Sequence, residues 1–481
     1  MPMRLLPMHL LLTATLALLS AAAQAVLPAP VLQALKAAEI PPSAVSVVVQ
    51  PVEGGPARIS HQAKLAMNPA SVMKLVTTYA ALDTLGPAFS WRTELLVTRP
   101  PRDGVLDGPL YIRGSGDPTL GMEQLWLLLR ELRSRGVRDI RGDVIADRSR
   151  YAAAPYDPGA FDNEPMAPYN VGPDALLFAH NALRIRLQPV EGGSPALSAE
   201  PPLEGVQIDN RVQLVAGECG DWKDTLTATV QPAADGRLTL QIGGRYARDC
   251  GERIWNVAPL PHAEFFARAL RAMWAELGGR IAGRIRDGVV PPEALTLGGI
   301  DSPPLAEVVR DINKYSNNVM ARQLFLTLAP AGAPADTAAA QAGLRAWAAR
   351  RGLTLNSLVM DNGSGLSRAE RLSAADLATV LRHAWGSPVM PEFMSSLPVY
   401  AVDGTLRRRQ KTSPLAGQAH LKTGSLADTR SIAGYLLDRN GKRVLLVAWL
   451  NHPNAKRAQP VLDALLEWVW AGNPQGLPVT D

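Results

Sequence analysis

The chain has 481 residues, of which 47% are hydrophobic and 19% are charged, and its formal net charge at pH 7 is +5. This composition indicates a globular protein of two or three domains. A net charge this small, with no basic stripe that alternates with aromatic residues, argues against nucleic acid as a partner. The seven His residues form no H-E-x-x-H or comparable spacing, so we expect neither a metal site nor a cofactor.

The first 25 residues have the pattern of a secretory signal peptide. Arg4 supplies the positive start, residues 10–19 form a short apolar stretch, and Ala23-Gln24-Ala25 is a small-x-small cleavage site. The apolar stretch is too short to span a bilayer comfortably, and no later segment is long and apolar enough. We therefore expect an exported, periplasmic protein whose membrane contact is at most peripheral.

The next segment predicts a strand and then a helix. Residues 44–50 read as a buried strand, and Asn68-Pro69-Ala70 opens the helix, because Asn can cap it and Pro fits its first turn. Apolar residues recur at helical spacing until Gly86, which ends the helix. Ser71 and Lys74 therefore lie one turn apart on one face.

Turn signals and short strand patterns dominate residues 90–297. We interpret this region as a β-rich insertion, with one helical pattern at residues 261–277. The two cysteines of the chain, Cys219 and Cys250, both lie in it. Two cysteines in an oxidising compartment usually pair, so we expect a structural disulfide.

The last part of the chain alternates helical and strand patterns. Helices are predicted from Pro304 onward, at residues 316–326, 338–352 and 458–470, and a hairpin is predicted from two strands at residues 432–437 and 443–450. The last helix carries Trp468 and Trp470. We expect these side chains to pack on a sheet rather than to lie at a membrane surface.

Three short strings, each found once, follow one another along the chain: Ser71-Val72-Met73-Lys74, Ser316-Asn317-Asn318 and Lys422-Thr423-Gly424. Each alone fits an ordinary helix, helix cap or surface strand. Together and in this order they supply the parts of an acyl-transfer site. His420, two residues before Lys422, has no identified partner and is interpreted as structural.

The first string supplies a nucleophile and its base. A Ser hydroxyl needs a base at neutral pH, and Lys74 can serve if burial and a nearby cation keep it neutral. We predict that Lys422 is that cation. Ser71 at a helix N-terminus would also favour a developing oxyanion.

The other two strings supply substrate contacts. Ser316 is predicted to pass a proton between Lys74 and the leaving group, and Asn318 to hold the substrate amide. Lys422, Thr423 and Gly424 read as an edge strand, with Gly424 leaving room for substrate to approach the backbone. Lys422 and Thr423 would bind a carboxylate, and the Ser425 N–H would complete the oxyanion hole.

At this point the chain resembles the penicillin-binding serine D-Ala-D-Ala carboxypeptidases of the class C low-molecular-mass group, the S13 peptidase family. The resemblance covers essentially the whole chain after residue 25, and the long interval between Ser71 and Ser316 is similar to that of this group. Further strings that resemble the family are Asn68-Pro69-Ala70-Ser71, Gly114-Ser115-Gly116-Asp117-Pro118, Asp361-Asn362-Gly363-Ser364-Gly365-Leu366-Ser367 and Asp403-Gly404-Thr405-Leu406.

The resemblance implies an α/β (α+β) fold, a β-lactamase/transpeptidase-like domain formed by residues 26–89 and 298–481. It would be split by the insertion at 90–297, which would hold two small domains. The resemblance also implies acylation of Ser71 by peptidoglycan stem peptides, hydrolysis of the acyl-enzyme, and covalent inhibition by β-lactams.

The resemblance further implies that the insertion grips the free end of a diaminopimelate side chain. Glu164 and Tyr169 have the matching spacing, with Glu where the family often has Asp, and Arg368 would join them.

Two alternatives stay open. A β-lactamase-like hydrolase would use the same three strings, but this insertion argues against it. A peptidoglycan-binding protein with little turnover would not need Ser71, Lys74, Ser316 and Lys422 together. The leading hypothesis is a DD-carboxypeptidase and DD-endopeptidase.

Overall fold

The structure, a computed structural model, describes residues 27–472. The expected signal peptide at residues 1–25 lies outside them. The α-helices within the described part of the chain are α1 (Ala29–Ala38), α2 (Lys74–Leu85), α3 (Met122–Ser134), α4 (His262–Glu276), α5 (Leu305–Tyr315), α6 (Asn318–Thr327), α7 (Thr337–Arg350), α8 (Ala374–Trp385), α9 (Met390–Ser396) and α10 (Gln459–Trp470).

The strands of the same residues are β1 (Val45–Pro51), β2 (Ile59–His61), β3 (Ala66–Met67), β4 (Arg92–Val97), β5 (Val105–Leu106), β6 (Leu110–Arg113), β7 (Asp139–Ile140), β8 (Val144–Asp147), β9 (Leu183–Gln188), β10 (Ala196–Glu200), β11 (Val206–Val215), β12 (Leu226–Pro232), β13 (Leu238–Ala247), β14 (Arg253–Val257), β15 (Arg280–Ile281), β16 (Ile285–Asp287), β17 (Leu295–Asp301), β18 (Leu372–Ser373), β19 (Ala419–Leu426), β20 (Thr429–Leu437) and β21 (Arg443–Asn451).

A five-stranded antiparallel sheet joins the two ends of the described chain in the order β19-β20-β21-β1-β2. The predicted hairpin is confirmed as β20 and β21, and β1 confirms the predicted first strand. Both faces of β20 and β21 are covered, so these strands are almost continuously buried. β19 lies at the edge of the sheet, as predicted.

Helices cover both faces of this sheet. On one face a cluster of buried apolar side chains joins α2, α5, α6 and α8 to alternate residues of the strands, such as Tyr435 and Val447. On the other face α1 and α10 pack against the remaining residues, such as Ile432 and Leu446. Trp468 and Trp470 are partly buried in this second cluster, which confirms that α10 packs on the sheet.

The β-rich region contains a five-stranded sheet in the order β16-β8-β6-β4-β17 and three-stranded sheets in the orders β15-β7-β5, β10-β9-β14 and β11-β13-β12. A further cluster of buried apolar side chains runs through it, with α3 and α4 contributing. Cys219 and Cys250 form the expected disulfide. β17 runs across the boundary predicted at residue 297, and the division into domains stays a prediction.

Candidate active site

The nucleophile of the first string lies in a tight turn. Residues Ala70–Met73 form a single 3-10 turn, and α2 begins only at Lys74, so the helix predicted to open at residues 68–70 starts with a tighter turn. Asn68 Oδ1 accepts the Ala70 N–H at 2.9 Å. Ala70 has a φ of +49°, a left-handed conformation that a non-glycine residue adopts only under constraint.

Lys74 is the centre of the hydrogen bonds at this turn. Its side chain is completely buried. Nζ lies 3.0 Å from Ser71 Oγ and 2.6 Å from Asn318 Oδ1, and it also contacts the Ser364 carbonyl oxygen. The structure therefore brings the predicted base, nucleophile and amide together.

Burial is the main influence on the pKa of Lys74. Desolvation lowers its pKa well below the ordinary lysine value, and the nearby cations Lys422 and Arg322 lower it further. Glu370 acts in the opposite direction and raises the pKa. The expected mechanism needs a neutral lysine, and the surroundings of Lys74 favour that state.

Ser316 lies between α5 and α6 rather than within a helix. Its φ of +58° places it in the left-handed region at the end of α5. Asn317 caps α6, because its side chain accepts the Met320 N–H at 3.1 Å. The predicted helix from residue 316 is therefore wrong at its start, and the left-handed break separates Ser316 from Asn318.

Lys422 connects the second and third strings. It is completely buried, and Nζ donates to Ser316 Oγ at 2.8 Å and to the carbonyl oxygen of Thr423 at 2.7 Å. Burial lowers the pKa of Lys422 to about 7.

Gly424 has a different role from the predicted one. A Cβ at this position would lie 2.2 Å from Ser431 Oγ, 2.9 Å from the Ser71 backbone nitrogen and 3.0 Å from the Pro69 carbonyl oxygen. The turn that carries Ser71 therefore fills the space that a side chain at residue 424 would need. Gly424 lets β19 lie against the nucleophile, and the expectation that it leaves room for substrate is wrong in its physical reason.

The free edge of β19 presents backbone groups near the nucleophile. The Leu421 N–H donates to a carbonyl of the 398–400 segment at 2.8 Å, and Ala419 O accepts from the same segment at 2.9 Å. Alternate residues of an antiparallel strand direct their backbone groups to the same side. The backbone groups of Thr423 and Ser425 therefore point to the same outer side of β19, past the part that residues 398–400 cover. An oxyanion hole that uses the Ser425 N–H requires this orientation.

The 403–406 loop adds a hydroxyl that sequence reasoning did not assign. Thr405 Oγ1 lies 2.9 Å from Thr423 Oγ1. Lys314 Nζ holds the loop by donating to Asp403 Oδ2 at 2.6 Å. The string Asp403-Gly404-Thr405-Leu406 resembles the family, and this resemblance is the sequence signal for the loop.

The 361–365 loop adds a second unassigned contact, the Ser364 carbonyl oxygen that accepts from Lys74. Gly365 has a φ of +81°, and a Cβ there would lie 2.0 Å from the Ala70 carbonyl oxygen. The loop therefore packs directly on the backbone of the nucleophile turn. The string at residues 361–367 resembles the family and so marks the loop, but the contact itself is made by a backbone carbonyl, which has no residue-type signature.

The three residues suggested in and near the insertion are only partly brought together. Tyr169 Oη donates to Asp162 Oδ2 at 2.9 Å, whereas Glu164 approaches Asp162 only through its backbone N–H, at 3.2 Å. Arg368 stacks on the ring of Phe161 with its guanidinium carbon 4.5 Å from the ring centre. Asp162 rather than Glu164 is therefore the acid that contacts Tyr169.

Arg322 and Gln323 of α6 connect this part of the chain to the site. Arg322 is almost fully buried, and Nη1 donates to the carbonyl oxygens of Tyr169 and Val171 at 3.0 and 2.7 Å. Gln323 exchanges hydrogen bonds with the backbone of Asp174 at 3.0 and 2.8 Å. Sequence reasoning missed both residues, because they read as ordinary helical positions.

The geometry agrees with the comparisons to known proteins. A model of the D-Ala-D-Ala carboxypeptidase 3 (S13) family matches residues 28–469. The D-alanyl-D-alanine carboxypeptidase of Actinomadura sp. (strain R39) is 30% identical over 396 residues, which are 78% of this chain and 71% of that protein. D-alanyl-D-alanine carboxypeptidase DacB of Haemophilus influenzae is 25% identical over 391 residues, 79% of this chain and 80% of that protein.

Solved structures show the same fold. Penicillin binding protein 4 of Haemophilus influenzae superimposes with a TM-score of 0.72 at 22% identity, covering 88% of this chain and 96% of that one. A predatory peptidoglycan endopeptidase of Bdellovibrio bacteriovorus superimposes with a TM-score of 0.51 at 17% identity, covering 91% and 95% of the two chains.

The chain belongs to the D-Ala-D-Ala carboxypeptidase 3 (S13) family. It is a serine-type D-Ala-D-Ala carboxypeptidase with the predicted α/β fold, a transpeptidase-like domain with a β-rich insertion. No helix of residues 27–472 combines the length and apolarity needed to cross a membrane.

Proposed function

We propose that this enzyme is a periplasmic DD-carboxypeptidase and DD-endopeptidase that cleaves peptidoglycan stem peptides and cross-links through an acyl-enzyme at Ser71. The observation that carries the proposal is the 3.0 Å distance between Lys74 Nζ and Ser71 Oγ. It joins a buried lysine of lowered pKa to a hydroxyl at a helix start, the arrangement that nucleophilic catalysis by Ser requires.

The hydrogen-bond partners of Lys74 support its role as the base. A neutral amine has two hydrogens and one lone pair. With both hydrogens donated to the Asn318 side chain and the Ser364 carbonyl, the lone pair is left to face Ser71. In acylation Ser71 Oγ bonds to the carbonyl carbon of the penultimate D-Ala, and Lys74 takes the hydroxyl proton.

Collapse of the tetrahedral intermediate completes the acyl transfer. The carbon–nitrogen bond breaks, the proton passes from Lys74 to the leaving amine with Ser316 as the relay, and an ester to Ser71 remains. Water then hydrolyses the ester, which returns the proton to Ser71. The 2.8 Å hydrogen bond from Lys422 holds Ser316 Oγ for the relay.

The edge of β19 supports the assignment of the substrate contacts. The Ser71 and Ser425 N–H groups would stabilise the oxyanion, since the first turn of a helix leaves its N–H groups free and the strand edge is open at Ser425. An extended peptide would add to the edge as a short strand. Its carboxylate would then lie near Thr423 and the buried cation of Lys422.

Contacts with the side chain of the stem peptide are proposed for the segment around Tyr169. We assign Glu164, Tyr169 and Arg368 to this surface, with Asp162 added because it contacts Tyr169 directly. The solved endopeptidase with the same fold and the peptidoglycan-acting family support cross-links as a second substrate. A Haemophilus influenzae penicillin binding protein 4 solved with a β-lactam supports acylation by these drugs.

The test is intact-mass spectrometry after incubation with benzylpenicillin, together with D-Ala release from a pentapeptide and cleavage of a cross-linked dimer. We expect one penicillin per protein and both activities, all absent from Ser71→Ala. Ser134→Ala, at an exposed helix end of the insertion, serves as the matched control and should behave as wild type. If no adduct forms and the drug stays intact, the protein is a binding protein. If no adduct forms and the drug is hydrolysed, the protein is a β-lactamase.

A further inference from the structure

Glu370 is a buried carboxylate that the mechanism above does not use. Its side chain is completely inaccessible to solvent. One of its oxygens, Oε1, accepts the backbone N–H groups of Asp361, Asn362 and Gly363 at 3.2, 3.0 and 3.0 Å. The other oxygen, Oε2, is buried and has no hydrogen-bond partner among the described residues.

The three N–H groups belong to the loop that contacts the Lys74 side chain and the backbone of the Ser71 turn. Ser364 of this loop presents its carbonyl oxygen to Lys74 Nζ, and Gly365 packs on the backbone that precedes Ser71. Thr77 of α2 donates to the Gly363 carbonyl oxygen at 2.7 Å. The carboxylate therefore anchors a loop whose position fixes both the base and the nucleophile turn.

Glu370 also brings a negative charge to a region of buried cations. The charges of Lys422 on β19 and Arg322 on α6 both lower the pKa of Lys74. Glu370, just before β18, is the carboxylate whose charge opposes them and raises the pKa of Lys74. Burial raises the pKa of Glu370, the three N–H groups lower it, and the charge of Asp361 in the anchored loop raises it again.

We propose that Glu370 is a positioning residue for acylation, which holds the 361–365 loop against the Ser71 turn and balances the cations around Lys74. The inference rests on the proposed function, because it concerns the acylation of Ser71. What distinguishes Glu370 from other buried acids is the loop it anchors, whose next residues contact Lys74 Nζ and the backbone before Ser71. If Glu370 only anchored the loop, its three hydrogen bonds would matter for acylation and its negative charge would not.

The charge and the anchor can be separated by substitution. Glu370→Gln keeps an oxygen for the three N–H groups and removes the charge, so the pKa of Lys74 falls. Because the base must be neutral, the acid limb of the acylation rate then moves to lower pH, by on the order of half a unit to one unit. Glu370→Ala removes the anchor as well, and we expect its maximal acylation rate to fall about 10-fold or more.

The experiment measures the second-order rate constant of acylation by benzylpenicillin from acid to alkaline pH. Glu392→Gln is the matched control, since Glu392 also has a buried, unpartnered Oε2 but makes no hydrogen bond to Ser71, Lys74, Ser316 or Lys422 within residues 27–472. It should match wild type. If Glu370→Gln does not fold, Glu370→Asp is measured instead, because its shorter side chain keeps the charge and moves the carboxylate away from the three N–H groups. The pH midpoint of the acid limb should then stay unchanged, and the maximal acylation rate should fall.

The outcomes are distinguishable. The inference is overturned, while the proposed function stands, if Glu370→Gln leaves the pH midpoint of acylation unchanged or if Glu370→Asp leaves the maximal acylation rate unchanged. A wild-type protein that benzylpenicillin does not acylate overturns the proposed function, and the inference fails with it.

Discussion

Gly424 lies against Ser71, so that a methyl group on this strand residue would stand 2.9 Å from the backbone nitrogen of the nucleophile. The contact joins the third string to the first through backbone atoms alone. It sets the distance between the substrate-binding edge of β19 and the hydroxyl that must attack. The position of Ser71 is therefore fixed by a residue more than three hundred positions later in the chain.

Gly424→Ala should lower the second-order rate of acylation by benzylpenicillin about 10- to 100-fold, because the added methyl pushes β19 away from the turn. Intact-mass kinetics give this rate. Gly193→Ala is the matched control, since a Cβ there meets nothing within 4 Å and its backbone is not left-handed. A wild-type rate in Gly424→Ala would contradict the close approach.

Lys422→Met should abolish turnover and stabilise the fold by about 1 to 3 kcal/mol at pH 7. Burial lowers the pKa of Lys422 to about 7, while the unfolded chain keeps a value near 10.4. Between these two values the unfolded chain binds the extra proton, so wild-type stability rises as pH rises from about 7 to about 10.

Urea unfolding of wild type and Lys422→Met near pH 7 and near pH 9.5 measures this difference. The gain in the variant should be largest near pH 7 and shrink at the higher pH. Lys442→Met, a substitution at an exposed lysine of the β20–β21 hairpin, should leave the wild-type pH dependence in place. If Lys422→Met is less stable than wild type at pH 7, burial of the Lys422 side chain does not destabilise the fold, and the prediction is wrong.

Arg322→Gln should move the acid limb of acylation to higher pH, by about half a unit. Removal of this cation raises the pKa of Lys74, so the base stays protonated to a higher pH. The shift is opposite in sign to that expected for Glu370→Gln. Arg310→Gln, at a largely exposed arginine of α5, is the control. A shift to lower pH would refute the assignment of Lys74 as the base.

Thr405→Val should raise KM about 3- to 10-fold for peptides with a free terminal carboxylate and leave kcat nearly unchanged. The loss of the hydroxyl frees Thr423 Oγ1 from its 2.9 Å partner, and one such hydrogen bond contributes about 1 kcal/mol. Steady-state kinetics of D-Ala release measure both constants. Thr412→Val, at an exposed position of the same connecting region, should have no effect; equal KM values for the two variants would exclude Thr405.

The sequence predicted the parts of the site whose chemistry depends on residue type and spacing. Ser71 and Lys74 could be placed on one face because a helix repeats every turn, and β19 could be read as an edge strand because it directly precedes the strand pattern of β20. The left-handed break at Ser316 could not be predicted, because neither Ser nor its neighbours require it. It follows from the packing of α5 and α6 around the site.

The parts of the site that the sequence did not predict depend on contacts between segments that are distant along the chain. The role of Ser364 depends on its carbonyl oxygen, which every residue carries, and the role of Glu370 depends on a loop that folds back over it. At the insertion, spacing favoured Glu164, but the chain turns so that the nearby Asp162 faces Tyr169. Spacing gives a distance along the chain and does not decide which of two neighbouring acids faces a partner.

The strand order β19-β20-β21-β1-β2 also decides when during synthesis the enzyme can become active. Ser71 is translated early, but β1 pairs with β21, which ends at Asn451. A ribosome-bound or truncated chain that lacks those last strands carries the nucleophile without its sheet, its buried cation or its strand edge. Labelling by a fluorescent β-lactam would therefore count completed and folded molecules, and nascent or clipped chains would stay dark.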